Sequence, residues 1–557
     1  MSAKQETANE VSRQGQWGVL LLALVVWMLH AGTVRPGHTW WGMDDFTAYL
    51  LHGRNLMAGD AYGDIDTVAD PDLPPVFQRT AFPPVFSLVV GLLDKGLTRK
   101  PTEALASPGR VSVEPTVAPR PPPPEEIERE RDPLRGSDGL PLVPVKRVLA
   151  LFTALAVIMV WRTLRHSARG LVLGATVVTF AFSPYLFAFR ELVRSEMLFL
   201  MLLYLWMDQA ERLRLSEQRG KLDIWGAVIC GLTLWLAYAT RTAAIVMPPA
   251  LVVADLWRDR KIRRSSLIVL AVGVAAVFIQ RAAYSSVEGG YMGKALAEWH
   301  FGTLVENVEQ LSWNYLRLWD NGVSDVGRLV MGYGTLLLAG VGFFARMHRL
   351  ALVDIFGLGY LAMIVLLPTD SAWMRYLLPL MPLGLLYTYT GIAVLAGAAA
   401  SRRKLAFGGA GLAVLLTYGS AYAHLEYGPL PDGLDAPETL EVYDWVSDNT
   451  HPDDVIVFSK WRSMTLATGR PSLAYPQPYR HGDLEDEEIR AHFERMAPVA
   501  FVLKHTPPTP SNLFRMLSHS DRGFLDGYVE RHPEDFDEVL RNDEFCVLRY
   551  RPVTGGR

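Results

Sequence analysis

The chain has 557 residues, of which half are apolar and 20% charged, with a formal net charge of −4. Its two cysteines exclude a disulfide scaffold or a cysteine-rich metal centre, and its basic residues, divided among short loops, exclude a nucleic-acid-binding face. The apolar residues gather in runs of spanning length, which implies a polytopic α-helical membrane protein of about 11–13 membrane helices with a small soluble α/β domain at its C-terminal end.

Residues 1–16 are polar, with Lys4 and Arg13 beside Glu6 and Glu10, and read as a cytoplasmic tail. The first apolar run, 17–34, is followed by no small-residue cleavage site and is expected as a retained helix. Further spans are expected at 143–161, 170–189, 194–208, 223–240, 242–256, 265–281, 327–345, 350–367, 374–398 and 405–424. The short connections carrying Arg162/Arg165/Arg169, Arg212/Arg214/Arg219/Lys221, Arg258/Arg260/Lys261/Arg263/Arg264, Arg346/Arg349 and Arg402/Arg403/Lys404 are basic, which assigns them to the cytoplasm. That count places the loop 35–81, the stretch Arg190 to Glu196, Arg241, 282–326, Asp370 to Arg375 and everything after 424 on the opposite face. It also requires that 82–97 not cross completely, so this run is expected as a re-entrant or tilted element.

Residues 98–141 hold ten prolines and a mixed-charge run, a composition that cannot bury enough apolar surface to order itself. The stretch 282–326 combines polarity with Trp299, Phe301, Trp313 and Trp319, which suits helices at the membrane interface, either a lid or a plain interfacial loop. From residue 428 onward the pattern is that of an external α/β domain, with helices over 437–446 and 487–496 and strands over 454–459, 498–503 and 545–550. The transmembrane domain accordingly runs from 17 to 427.

Chemistry-bearing residues concentrate on the external face. Asp44 and Asp45 open an amphipathic helix on which positions 45, 49, 52 and 56 share one face, while Arg54 turns away. An aspartate at a helix start is also a favoured N-cap, so one of the pair has a purely structural reading. Arg79, Arg190, Arg194, Arg241 and Arg375 fall on the same side with Glu191, Glu196 and Asp370. A guanidinium matches a phosphate by its planar fork of donors, which points to a phosphorylated lipid; for any single arginine, snorkelling to headgroups is the alternative. His38, His52 and His300 are not spaced as a metal motif, and no metal is assigned.

The stretch Asp45 to Gly59, with Tyr49, Arg54 and Asn55, resembles the first external loop of GT-C-type integral-membrane glycosyltransferases. Phe82-Pro83-Pro84-Val85-Phe86, Ser183-Pro184, Arg194-Ser195-Glu196, Ala239-Thr240-Arg241, Met374-Arg375-Tyr376, Tyr443-Asp444-Trp445 and Thr468-Gly469-Arg470 follow in the order of that family. The resemblance is to the bacterial relatives of protein O-mannosyltransferases and of the lipid A aminoarabinose transferase. It implies transfer of a sugar, with inversion, from a polyprenyl-phosphate-linked donor to an acceptor lipid, glycan or protein outside the inner membrane. On the matched positions it implies Asp45 as general base, Asp44 as a helper or a metal or acceptor contact, and Arg241, Arg375 and Arg194 on the donor phosphate. Tyr49, Arg54, Arg79 and Glu196 would support them. Phe46 stands where many members carry a second acid, so the choice between Asp44 and Asp45 stays open, and the proline-rich insertion is longer than the family leads one to expect. A divalent metal is neither required nor excluded. The rival reading is a lipid-linked-sugar flippase without covalent transfer, against which the chain shows no pair of related halves; a further alternative is an envelope scaffold whose C-terminal domain binds a partner.

Overall fold

The computed structural model describes residues 3–40, 43–63, 82–97, 140, 142–283, 301–366, 373–425, 427–430, 433–473, 485–504 and 524–551, of which 3–14, 43–44, 303, 373 and 524–526 are described by backbone alone. The side chain of Asp44, and all of Arg79, His300, Asp370 and the proline-rich stretch through 139, lie outside the described residues.

The first helix, α1 (Ala3–Gly32), continues through the polar tail. It is followed by α2 (Met43–Ala58), α3 (Pro84–Leu97) and α4 (Leu142–Leu164). The 14 residues of α3 reach only about 21 Å at 1.5 Å per residue, short of a hydrocarbon core of about 30 Å. This helix packs along α2, and the two backbones touch: a Cβ on Gly91 would stand 2.6 Å from the Gly53 carbonyl oxygen. Arg54 Nε donates to Asp94 Oδ2 at 2.9 Å, closing the far end of this hairpin. The run 82–97 is thus a short helix held against α2, which carries Asp45.

Among the described residues, six helices are long and apolar enough to cross a membrane, and three shorter apolar ones, Ile224–Tyr238, Leu352–Leu366 and Met381–Leu395, accompany them. Several expected spans are interrupted. α5 (Gly170–Ala181) breaks at Ser183-Pro184, where the ring of Pro184 starts the short α6 (Pro184–Ala188), which runs into a 3-10 turn at Phe189–Glu191. Beyond α7 (Glu196–Gln218), α8 (Ile224–Tyr238) gives way to a 3-10 turn at Thr242–Val246 before α9 (Met247–Asp259), whose first turn holds Pro248 and Pro249. α10 (Arg264–Ala283), α11 (Phe301–Arg317), α12 (Asp325–Arg346) and α13 (Leu352–Leu366) follow, and the expected span 374–398 is split into α14 (Trp373–Leu377) and α15 (Met381–Leu395), the latter opening on Pro382. α16 (Ala400–Ala423) ends the membrane part.

Acidic side chains bind the basic connections at one end of α7. Asp208 holds Arg162, His166 and Arg212; Glu211 holds Arg214 and Arg258; Asp354 holds Arg346. Glu196 opens the same 23-residue helix, so about 30 Å separates that residue from the basic end.

The C-terminal region folds as α17 (Pro437–Asn449), β1 (Ile456–Phe458), α18 (Trp461–Thr468), β2 (Ser472–Leu473), α19 (Asp486–Met496), β3 (Ala500–Lys504), α20 (Phe524–Arg531), β4 (Phe536–Arg541) and β5 (Phe545–Tyr550). The sheet order is β2-β1-β3-β5-β4, parallel across the first three strands and antiparallel across the last three. The domain is docked on the first loop. Trp40 inserts edge-on between Phe458 and Phe545 and donates its indole N–H to Glu544 at 3.0 Å, and Leu434 N–H donates to the His38 carbonyl at 3.0 Å. Glu544 is also the partner of Lys504. Both cysteines, Cys230 and Cys546, are buried free thiols.

Candidate functional site

Three arginines that lie far apart in sequence enter one cluster because each sits beside an interrupted helix. The backbone is extended at Leu192, just before Arg194, and at Arg241, while Arg375 lies in the short α14. Around Asp45, Arg375 Nη1 donates to Oδ2 at 2.7 Å and Arg194 Nη2 stands 3.2 Å from the same oxygen. Arg241 Nη1 lies 2.6 Å from Glu196 Oε1, an ion pair by distance whose N–H is not aligned as a hydrogen bond. Arg375 Nη1 is also 3.8 Å from that Glu196 oxygen, so it bridges the two carboxylates. Tyr49 completes the face expected of α2, its hydroxyl 3.1 Å from Ser195 Oγ. Tyr376 lies beneath both Arg241 and Arg375, at 5.5 and 5.4 Å from ring centroid to guanidinium carbon.

Among the described residues, two carboxylates here face three guanidinium groups, in a region that is largely buried. The cluster is graded: the Glu196 side chain is 4% exposed and that of Asp45 19%, so Asp45 is the more accessible carboxylate. Burial works against the Asp45 charge, but Arg194 and Arg375 outweigh it and hold the carboxyl well below the usual carboxylate range. Asp45 is the third residue of α2 and its carboxylate is taken by arginines; it is not spent on a helix cap. Two donors in the cluster, Tyr185 Oη and Arg375 Nε, are buried with no hydrogen-bonding acceptor among the described residues. Buried donors of this kind call for an acceptor.

A second charge cluster braces the first. Glu191 is held by Arg35 at 3.0 Å, Lys146 at 3.1 Å and Arg190 at 3.2 Å, and the fully buried Lys146 ammonium donates further to the carbonyls of Arg35 and Gly37, each at 2.8 Å. His38 accepts from Val193 N–H through Nε2 and so donates through Nδ1 to the Thr39 carbonyl; burial, aided by Lys146, pushes its imidazole down to about 3. The neutral ring pins the segment that carries Arg194.

Of the residues singled out in the sequence, Asp45, Tyr49, Arg194, Glu196, Arg241 and Arg375 come together. Arg54 does not: it turns away, as its helix position implies, and serves the α2–α3 contact through Asp94. Sequence reasoning missed Lys146, Tyr185 and Arg462. A lysine in the first turn of an apolar helix is the one signal that pointed to a buried partner; Tyr185 is one aromatic residue among many. Arg462, on α18, acts electrostatically on Asp45 from the C-terminal domain, which no local pattern reveals. One metal-like grouping occurs among the described residues, His532/Glu534/Asp535, and Arg490 and Asp486 already engage it.

No protein-family model matches the chain, and no curated protein matches its sequence. Among solved structures it is similar to ArnT from Cupriavidus metallidurans in the apo state, at 11% identity and a TM-score of 0.50, over 98% of this chain and 100% of that one. It is also similar to the archaeal oligosaccharyltransferase AglB from Archaeoglobus fulgidus in complex with an inhibitory peptide and a dolichol-phosphate, at 11% identity and a TM-score of 0.53, over 88% of this chain and 70% of that one. These likenesses bear out the fold that the ordered motifs implied: a GT-C membrane fold carrying a small C-terminal α/β sheet.

Proposed function

We propose that the protein transfers a sugar from a polyprenyl-phosphate-linked donor to an acceptor at the external face of the inner membrane, with Asp45 as the general base. The observation that carries this reading is the convergence of Arg194, Arg241 and Arg375 on Asp45 and Glu196, with Tyr185 Oη and Arg375 Nε buried and without a hydrogen-bonding acceptor among the described residues. A lipid phosphodiester brings one negative charge and several acceptor oxygens to such a site. The external placement follows from the separation of this cluster from the basic loops along α7, combined with the positive-inside tendency. ArnT and AglB lend the fold; the AglB complex holds a dolichol-phosphate, a ligand of the class proposed for this chain.

The acceptor hydroxyl attacks the anomeric carbon, its proton passes to Asp45, and the bond from that carbon to the phosphate oxygen breaks with inversion. In the free protein Asp45 is a weak base because Arg375 and Arg194 hold it. A bound phosphate draws on those guanidinium groups, and the Asp45 carboxylate becomes more basic as the donor seats. The phosphate is a good leaving group, so stabilising its charge supplies most of the acceleration. Glu196 keeps Arg241 and Arg375 apart and aimed, and Tyr49 fixes Ser195 beside it.

The test is to give purified protein defined polyprenyl-phosphate sugars with candidate lipid, glycan and protein acceptors, and to look for glycosylated product by mass spectrometry. Release of polyprenyl phosphate coupled to acceptor glycosylation supports the reading. Movement of intact lipid-linked sugar across a vesicle membrane without any covalent product would replace it with the flippase reading.

A further inference from the structure

The C-terminal domain puts a charge into the site. Arg462 is the second residue of α18, a helix buried along its whole length and packed on α2. Its guanidinium carbon lies 4.4 Å from the centroid of Trp461 and 5.7 Å from that of Phe82, and the residue is 7% exposed. Phe82 in turn packs on Tyr49 at 4.8 Å, so Arg462 reaches the Asp45–Tyr49 face of α2 through that ring. Domain docking through Trp40, Glu544 and Leu434 is what holds it there.

We propose that Arg462 is a contact to the donor phosphate supplied by the C-terminal domain, and that its positive charge matches the negative charge which that phosphate gains as its bond to the sugar breaks. The proposal rests on the glycosyl-transfer reading above. In that step the acceptor oxygen bonds to the anomeric carbon, the departing carbon–oxygen pair of electrons stays on the phosphate, and the acceptor proton moves to Asp45. A phosphodiester with one negative charge thereby becomes a monoester able to carry two. Among the described residues, Arg194, Arg241 and Arg375 face Asp45 and Glu196, which suits a bound diester; Arg462 brings a further guanidinium to the same helix face, which suits the departing monoester. A contact that strengthens only as charge develops raises turnover more than affinity.

The test compares wild type with Arg462→Gln, Arg462→Met and Arg462→Lys as full-length protein in lipid nanodiscs, with a defined polyprenyl-phosphate sugar. Arg462→Gln and Arg462→Met, the latter keeping an apolar stem against Trp461, should lower kcat by about 10²–10³-fold while the donor KM changes by less than about threefold. Arg462→Lys should recover most of the turnover. Wild-type kcat in either neutral variant overturns the proposal, as does equal loss in all three variants accompanied by a fallen thermal midpoint, which marks a merely structural arginine. If wild type itself transfers no sugar and binds no polyprenyl phosphate, the glycosyl-transfer reading fails, and this one with it.

Discussion

Replacing Asp45 by Asn should move catalysis and ligand binding in opposite directions. The amide keeps the shape and one acceptor oxygen for Arg375, now 2.7 Å from Oδ2, but it takes no proton at neutral pH. Loss of a positioned base lowers kcat by about 10²–10⁴-fold. The same change removes a negative charge from an anion site. At an effective dielectric of about 20, a carboxylate about 6 Å from a bound phosphate repels it by about 3 kcal/mol. The side chain is 19% exposed, and the two guanidinium groups on it already spread its charge, so about half of that survives. Polyprenyl phosphate should therefore bind about tenfold more tightly, since about 1.4 kcal/mol is a factor of ten. Turnover is read by mass spectrometry of product, and affinity by titration of polyprenyl phosphate into each protein. Wild-type turnover in Asp45→Asn, or a variant that binds the lipid phosphate tenfold more weakly, would refute the assignment of Asp45 as a base facing the phosphate.

The remaining predictions concern pH, packing and docking. Because the Asp45 pKa is depressed in the free protein, its ion pairs contribute stability above the unfolded aspartate value of about 4 and lose it as pH falls through the lower folded value. The acid limb of kcat/KM should then lie below that of kcat, where bound phosphate has taken up the arginines; the reverse order in measured pH profiles contradicts the mechanism. Gly91→Val forces α2 and α3 apart at their backbone contact and should cost about 1–3 kcal/mol, seen as a lowered thermal midpoint together with lost transfer; full activity would show that this contact does not position Asp45. Trp40→Ala empties the slot between Phe458 and Phe545 at about 3–5 kcal/mol and should expose the C-terminal domain to protease while the membrane part stays intact; unchanged digestion would count against the docking described.

The membrane segments were legible because length and apolarity alone define them, and their charged ends because Arg and Lys in short loops are unambiguous. What apolarity does not encode is interruption: Pro184, Pro248 and Pro382 mark the breaks, but that three breaks deliver three arginines to one pair of carboxylates, Asp45 and Glu196, depends on packing. In the C-terminal domain β1, β3 and β5 are apolar runs and were readable from the sequence. β2 has two residues, and β4, Phe-Asp-Glu-Val-Leu-Arg, buries only the first of its six, so neither carries a readable alternation. Glu191 and Arg190 were singled out by their charge, yet their brace on Lys146 and Arg35 joins segments 111 and 156 residues apart, a separation no periodicity reports.

Asp45 is made early and Arg375 comes 330 residues later, with Arg462 later still. At ribosomal speeds of about 5–20 residues per second, the aspartate emerges roughly 15–65 s before its main partner exists. Throughout that interval it must remain hydrated, and α2 cannot settle into its final dry surroundings. A chain ending before residue 375 therefore holds Asp45 without its Arg375 ion pair, and the cluster closes only when translation is two-thirds complete or more.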